Sequence, residues 1–398
     1  MLDIILALLF GILCGIITGI TPGLHVNTVA ALLLAGLPLL TAHFSLLALG
    51  VFLIAMLISH SFHDYIPSIF LGAPDEGETA LAVLPGHKML MRGEGYKALK
   101  LTVAGGIGAY LIGLVSLPLF FLFVKHGYSY LEYFIVPIII SLTVFFILSE
   151  AKLKKVVWAL VVFLLSGILG LLALNNLPLR EPLFPLLAGL FGISGLLLST
   201  QNTNTIPVQK FESDFYIGNI LTHIKGVVCS ALMNVLPALG SAQATILAQT
   251  FSRKQSGEEF LTITGGISTV SVLFILTTLF LINKARSGVI AIMKQFLTIG
   301  DYEFLVLIAA SFASVGFSVF LVMVLGKYFA NKIGKIKYRE LSIGIILFII
   351  ALVGLFSGWL GWLVLSVSTA IGLIAPKVGI KRIHAMGCLV IPVVAYFL

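Results

Sequence analysis

Charge is scarce in this chain. Only 10% of its 398 residues are Asp, Glu, Lys or Arg, against roughly 25% in soluble domains, so there is too little polar surface to cover a water-soluble body of this size. Cysteine is nearly absent: Cys14, Cys229 and Cys388 lie far apart inside apolar runs with no CxxC spacing, which argues against a disulfide framework or a zinc cluster. No P-loop and no nucleophile elbow is present, so nothing marks an enzyme. The apolar residues do not alternate at period two, which excludes a membrane β-barrel. The first twenty residues lack a basic leading region and a small-residue cleavage site, and run instead into Thr21-Pro22-Gly23. They read as structural rather than as a signal peptide. The net charge of +8 is what basic loops contribute to any membrane protein and implies no nucleic acid partner.

What the chain does have is apolar length. Hydrophobic residues reach 59% and mean hydropathy is +1.14, a composition for which the bilayer is the natural solvent. Continuous apolar runs long enough to span lie near 41–59, 101–124, 131–149, 156–174, 183–200, 260–282, 304–326, 341–357, 359–375 and 383–398, about ten crossings at roughly 20 residues each. Two further stretches, 3–40 and 226–250, are broken by Pro22-Gly23 and Pro237. Such breaks survive at membrane depth only where the freed backbone is buried in protein or lines a cavity. A third stretch, 62–86, carries His63, Asp64, Pro67, Pro74, Asp75, Glu76, Glu78 and Pro85 and cannot face lipid.

A polar linker, 201–225, separates an N-terminal unit, 1–200, from a C-terminal unit, 226–398. Aligning Pro22 with Pro237 also pairs Gly11 with Gly226, Cys14 with Cys229, Gly15 with Ser230 and Leu24 with Leu239. Two broken helices in corresponding positions point to a repeat-built transporter and to its binding site. Basic clusters at 88–100, 152–155, 327–339 and 377–382 can all be cytoplasmic if 3–40, 62–86 and 226–250 are hairpins that enter and leave on one side. Each half then holds an odd number of crossings, so the second is inverted relative to the first. The predicted fold is an all-α polytopic membrane protein of two inverted-topology repeats with broken, re-entrant hairpins. Lys284 and Arg286 fall on the outer side in this scheme, against the charge rule.

A helix broken in mid-membrane exposes N–H groups that attract anions. On one hairpin tip stand Pro22, Gly23, His25, Asn27 and Thr28; on the other stand Pro237, Gly240, Ser241 and Gln243. Together they suit a carboxylate or a phosphate. The competing reading makes them helix caps and packing polars, which membrane bundles use freely. Asp64, beside His60 and His63, is the expected ion-coupling carboxylate, since intramembrane acids are functional by default. Asp75, followed three residues later by Glu78, has the spacing of a helix-capping pair, which leaves Asp75, Glu76 and Glu78 open between a capping and a binding role. Thr264-Gly265-Gly266-Ile267-Ser268-Thr269 and Gly105-Gly106 read as close packing.

Taken together, these motifs resemble a known family. Gly15 to Leu34, with Gly15, Gly19, Pro22, Gly23 and Leu24, resembles the opening signature of the tripartite tricarboxylate transporter large membrane subunit, the TctA-type permease. The stretch Gly72 to Gly106, with Pro85, Lys88, Gly93, Ala98 and Leu99, is similar to its second block, and Leu186 to Ser199 to the block that closes its first half. Ala238 stands where a glycine is expected in the second tip, and the chain resembles the shorter, archaeal-type branch. The resemblance implies an inverted-repeat secondary carrier with its substrate between the tips, driven by an ion gradient. It also implies a small membrane subunit and an extracytoplasmic binding protein as partners. The expected function is uptake of a small anionic solute, a di- or tricarboxylate, coupled to Na+ or H+, with no other cofactor and no metal. Membrane lipids and a second copy of the chain complete the expected partners. The alternative is a translocase, or flippase, for a polyprenyl-phosphate lipid carrier, whose phosphate head suits the same tips.

Overall fold

The computed structural model describes residues 2–21, 24–74, 76–150, 152–179, 182–199, 206–211, 218–235, 240–250, 256–333 and 338–397. Among the described residues every regular element is helical. The N-terminal half comprises α1 (Leu2–Ile20), α2 (Val26–Ala35), α3 (Leu37–Leu40), α4 (Leu46–His63), α5 (Gly77–Leu90), α6 (Gly95–Val115), α7 (Leu117–Leu148), α8 (Leu153–Leu171), α9 (Leu183–Leu187) and α10 (Ser194–Ser199). The C-terminal half comprises α11 (Ile220–Val235), α12 (Ser241–Thr250), α13 (Gly257–Ile282), α14 (Gly288–Phe296), α15 (Asp301–Ile333), α16 (Tyr338–Val378) and α17 (Gly387–Phe397). Seven helical stretches among the described residues are long and apolar enough to cross a membrane, and five shorter apolar helices accompany them. The chain is therefore a polytopic all-α membrane protein.

Lipid offers helices no apolar driving force to associate, so close packing depends on small residues that let backbones approach. Gly11, Gly15 and Gly19 repeat every four residues along one face of α1 and lie against α4. A Cβ at Gly11 would stand 2.8 Å from Ala55 Cβ, one at Gly15 2.5 Å from Ser59 Cβ, and one at Gly19 2.8 Å from His63 Cβ. Ser59 Oγ donates to Ile12 O across the same seam at 2.9 Å. Numbers rise together on both helices, so α1 and α4 run parallel, and the segment between them must retrace the length of α1. In the second half, Gly226 faces Ile263 and Ile267, and Ser230 bonds Ser271 at 2.9 Å. Thus α11 also runs parallel to the long helix that follows it, and α12 must turn back. A third seam joins the halves: Gly105 faces Thr262 and Gly266, while Gly265 faces Thr102.

Two expected breaks acquire a physical form. After Pro67–Leu71, a π-helical turn, Gly72 takes φ +66°. Ser68 Oγ donates to Thr79 O at 2.8 Å and His87 Nδ1 lies 2.9 Å from Ile69 O, so within the expected 62–86 hairpin α5 packs beside the Pro67–Leu71 turn. The second break is Gly358, at φ +67°, ψ −161°, inside the run that forms α16. Trp362 Nε1 donates to Ile350 O at 2.7 Å, a contact that a straight helix forbids at this spacing. The run is thus two helices folded on each other at Gly358, between the expected spans 341–357 and 359–375. A Cβ at Gly358 would meet no atom within 4 Å, so Gly358→Ala is expected to cost only the backbone strain, about 1–3 kcal/mol, seen as a lowered thermal midpoint in detergent.

Candidate functional site

The second and third hairpins meet at the first turn of α5. Glu76 is the N-cap of α5, and its backbone N–H donates to Thr79 Oγ1 at 3.2 Å. The capping pair is therefore Glu76 and Thr79, one residue beyond the expected Asp75 and Glu78; Asp75 lies outside the described residues. The Glu76 carboxylate takes part in this capping box by accepting from the Thr79 N–H, whereas that of Glu78 is left for other partners. Gly77 lies against the third hairpin, where its Cβ would stand 2.7 Å from Ala242 Cβ. Glu78, buried, accepts from Ser268 Oγ of α13 at 3.3 Å.

The first hairpin reaches the same turn through His25. Its Nδ1 accepts the Asn27 N–H at 3.1 Å, which caps α2. Nε2 therefore carries the ring proton, and it lies 2.8 Å from Glu76 Oε1. The same carboxylate oxygen is 4.0 Å from His60 Nε2, a buried nitrogen with no hydrogen-bond partner among the described residues. His60 Nδ1 is 3.1 Å from Thr18 Oγ1, whose hydroxyl donates to Gly15 O at 3.2 Å. These partners put the His60 proton on Nδ1 and turn its Nε2 lone pair towards Glu76. Asp64 is buried at the end of α4, and Asp64 Oδ2 accepts from Thr79 Oγ1 at 2.8 Å.

The second tip is held by hydroxyls. Ser271 spends its own proton on Ile267 O at 2.7 Å. It accepts from Ser241 Oγ and from Asn234 Nδ2, each at 2.9 Å. Gln243 Oε1 accepts the Gly240 N–H at 3.0 Å, so Gln243, the third residue of α12, reaches back to the residue before the helix. A Cβ at Gly240 would meet no atom of the described residues within 4 Å.

The predicted residues are thus distributed unevenly. His25 stands at the meeting point, and Gly240, Ser241 and Gln243 sit at the start of α12 beside it. Asn27 packs elsewhere: its Oδ1 lies 2.5 Å from where a Cβ of Gly288, the first residue of α14, would stand. Thr28 is half-buried in the first turn of α2, and its N–H donates to His25 O at 3.0 Å. Pro22, Gly23 and Pro237 lie outside the described residues. Sequence reasoning did not single out Thr18, Thr79, Asn234 or Ser271. Asn234 had a readable signal, an amide side chain three residues before Pro237. Ser268 and Ser271 stand in or beside the glycine-rich run read as packing, which proves to have two faces: Gly265 packs on α6 while the serines face the tips.

The arrangement sets the N-termini of α2, α5 and α12 around one place, with neutral donors, two histidines and three carboxylates. The family profile described as "Tripartite tricarboxylate transporter TctA family" matches residues 5–387. An uncharacterized protein of Methanocaldococcus jannaschii is 31% identical over 410 residues, covering 99% of each chain. No solved structure matches the chain. With a profile match over nearly its whole length and a relative that aligns end to end, the chain belongs to the tripartite tricarboxylate transporter TctA family, a family of multi-pass cell-membrane transporters and not of enzymes.

Proposed function

We propose that the protein is an ion-coupled permease that carries a small di- or tricarboxylate between its two hairpin tips. The observation that supports this most is the convergence of three helix N-termini, those of α2, α5 and α12, at the meeting of the hairpins. Each N-terminus carries about half a positive charge, and such ends are ready anion sites. Discontinuous helices that aim them at a substrate are how repeat-built carriers bind anions. His25, Asn27, Thr28, Gly240, Ser241 and Gln243 supply neutral donors around that place, with Pro22, Gly23 and Pro237 breaking the helices. Asp64, Glu76 and His60 are the groups on which a coupling ion, Na+ or H+, acts. Reciprocal contacts favour the inverted repeat: the first residue of α5 abuts the second of α12, and the first residue of α14 abuts the second of α2. The family's tripartite description favours a small membrane subunit and an extracytoplasmic binding protein as partners.

Purified protein in proteoliposomes is expected to take up radiolabelled citrate or succinate only when an H+ or Na+ gradient is imposed. His25→Ala should reduce uptake about tenfold or more, since it removes both the α2 cap and a charge-assisted bond, and Gln243→Ala should weaken it less. Uptake and binding unaffected by both substitutions would sink the two-tip site. One observation favours the lipid-carrier reading. An apolar cavity of about 660 Å³, lined by Phe10, Leu13, Ile17, Val29, Leu33 and Phe52, lies between α1, α2 and α4, where a prenyl chain would fit behind a head group at His25. Protein that ignores carboxylates but moves a fluorescent polyprenyl phosphate between leaflets would decide for it.

A further inference from the structure

Two basic clusters that lie far apart in sequence face one cavity. It measures about 600 Å³, and its walls include Lys88 of α5, Arg92 in the turn after it, Gln249 of α12, Phe191, and Lys381 and Arg382 of the turn after α16. Lysines and arginines at a membrane surface are ordinary anchors, and basic side chains in the last turn of α5 complement its dipole. Neither accounts for Arg382. Its Nη1 donates to Phe191 O at 3.3 Å. Among the described residues no carboxylate lies within 4.0 Å of Lys88, Arg92 or Arg382.

Three acids lie nearby: Glu94 lines the same cavity, and the other two, Glu258 and Glu150, are engaged elsewhere. Glu258, in the cavity wall, pairs with Lys97 at 2.7 Å. Glu150 accepts the Lys381 N–H and lies against His384 Nε2, each at 3.0 Å. Burial pushes the Glu150 carboxyl up, but these bonds outweigh it and hold it below its ordinary value. That anchor fixes the short 3₁₀ turn Arg382–Met386 and with it the place of Arg382. A partly desolvated guanidinium, whose hydrogen bond among the described residues is the one to Phe191 O, suits a planar oxyanion.

One face of α5 leads from the central site to this cavity. Glu76 and Gly77 stand at the tips, while Ala80, Leu84 and Lys88 follow at four-residue spacing and line the cavity. From Gly77 to Lys88 the helix rises roughly 16 Å. The positive-inside rule puts the basic end in the cytoplasm. We propose that this cavity is a second anion station on the cytoplasmic half of the path, where Arg382 receives a carboxylate of the departing multiply charged substrate. The inference rests on the permease reading.

The test uses the full chain in phosphatidylcholine nanodiscs, with equilibrium binding of radiolabelled citrate, competition by inorganic phosphate, and uptake in proteoliposomes. Wild-type protein is expected to bind citrate at two stations. His25→Ala should leave one of them, and Arg382→Gln should remove that one and slow uptake about tenfold. Arg382→Lys, which keeps the charge without the fork, should fall between, and equal melting temperatures would show that all three variants fold. Citrate binding and uptake unchanged in Arg382→Gln would overturn the station while leaving the permease reading intact if His25→Ala is inactive. Conversely, a wild type that takes up no carboxylate would end the permease reading, yet an Arg382-dependent citrate site would still support the cavity. Retention of phosphatidylglycerol by wild type, lost in Arg382→Gln with citrate binding unaltered, would assign the guanidinium to a lipid head group and overturn the exit station.

Discussion

Glu76→Gln is expected to lower gradient-driven carboxylate uptake by roughly tenfold while leaving the protein folded. Glu76 joins the first hairpin to α5 through His25 at 2.8 Å, and its side chain retains 32% of its exposure, which tempers the effect. A hydrogen bond to a charged group is worth about 1.5–3 kcal/mol, and each 1.4 kcal/mol is a factor of about ten, so the lower end of that range sets the prediction. Glutamine keeps an oxygen for the His25 N–H but loses the charge, and places an amide near the His60 Nε2 lone pair. The substitution therefore separates charge from scaffolding: the melting temperature should stay near that of wild type while uptake falls. Glu76→Ala, which removes the joint altogether, should lower both. Uptake in Glu76→Gln within twofold of wild type would show that the meeting of the hairpins is structural only.

Gly105→Val and Gly265→Val should each prevent stable folding. The positions are reciprocal: a Cβ at Gly105 would fall on Thr262 O, and one at Gly265 would fall on Thr102 O. Backbone atoms cannot swing aside as a flexible side chain can, so α6 and α13 would have to part along the seam that joins the halves. Overpacking a fitted interior costs about 1–3 kcal/mol, occasionally more, and the upper end is expected where the obstruction is backbone. Size-exclusion profiles and thermal melts in detergent would read this. A control at Gly316, where a Cβ would meet nothing within 4 Å, should leave both unchanged. If Gly105→Val gave a wild-type melt, the tight α6–α13 seam would be wrong.

Some of this was legible from residues alone because lipid imposes a simple rule. Every backbone polar group must be satisfied within the segment or buried against protein, so long apolar runs announce helices, and Gly-Pro interruptions announce breaks. The Gly358 reversal fell between two expected spans for that reason. The matched flanks of Pro22 and Pro237 likewise preceded the finding that α1 and α11 each run parallel to the next long helix. Local chemistry was less legible. The expected Asp75–Glu78 cap gave way to Glu76–Thr79, because one residue of register decides which carboxylate is free and which closes the helix. Asn27 was placed with the tip residues by sequence proximity, but a helix turns its side chains through 100° per residue, and Asn27 faces α14.

Membrane residence, helical class and the family therefore follow from composition, apolar length and ordered motifs. All of these are properties of the chain read along its length. Three features belong to the tertiary structure: the union of His25, Glu76 and the Ser241 tip, the two-faced use of the Gly265 to Ser271 stretch, and the convergence of Lys88 and Arg92 with Arg382. Each depends on which segments become neighbours across parallel, small-residue seams. That choice is made by backbone fit between residues far apart in the chain, to which no local pattern of apolar and polar residues is sensitive.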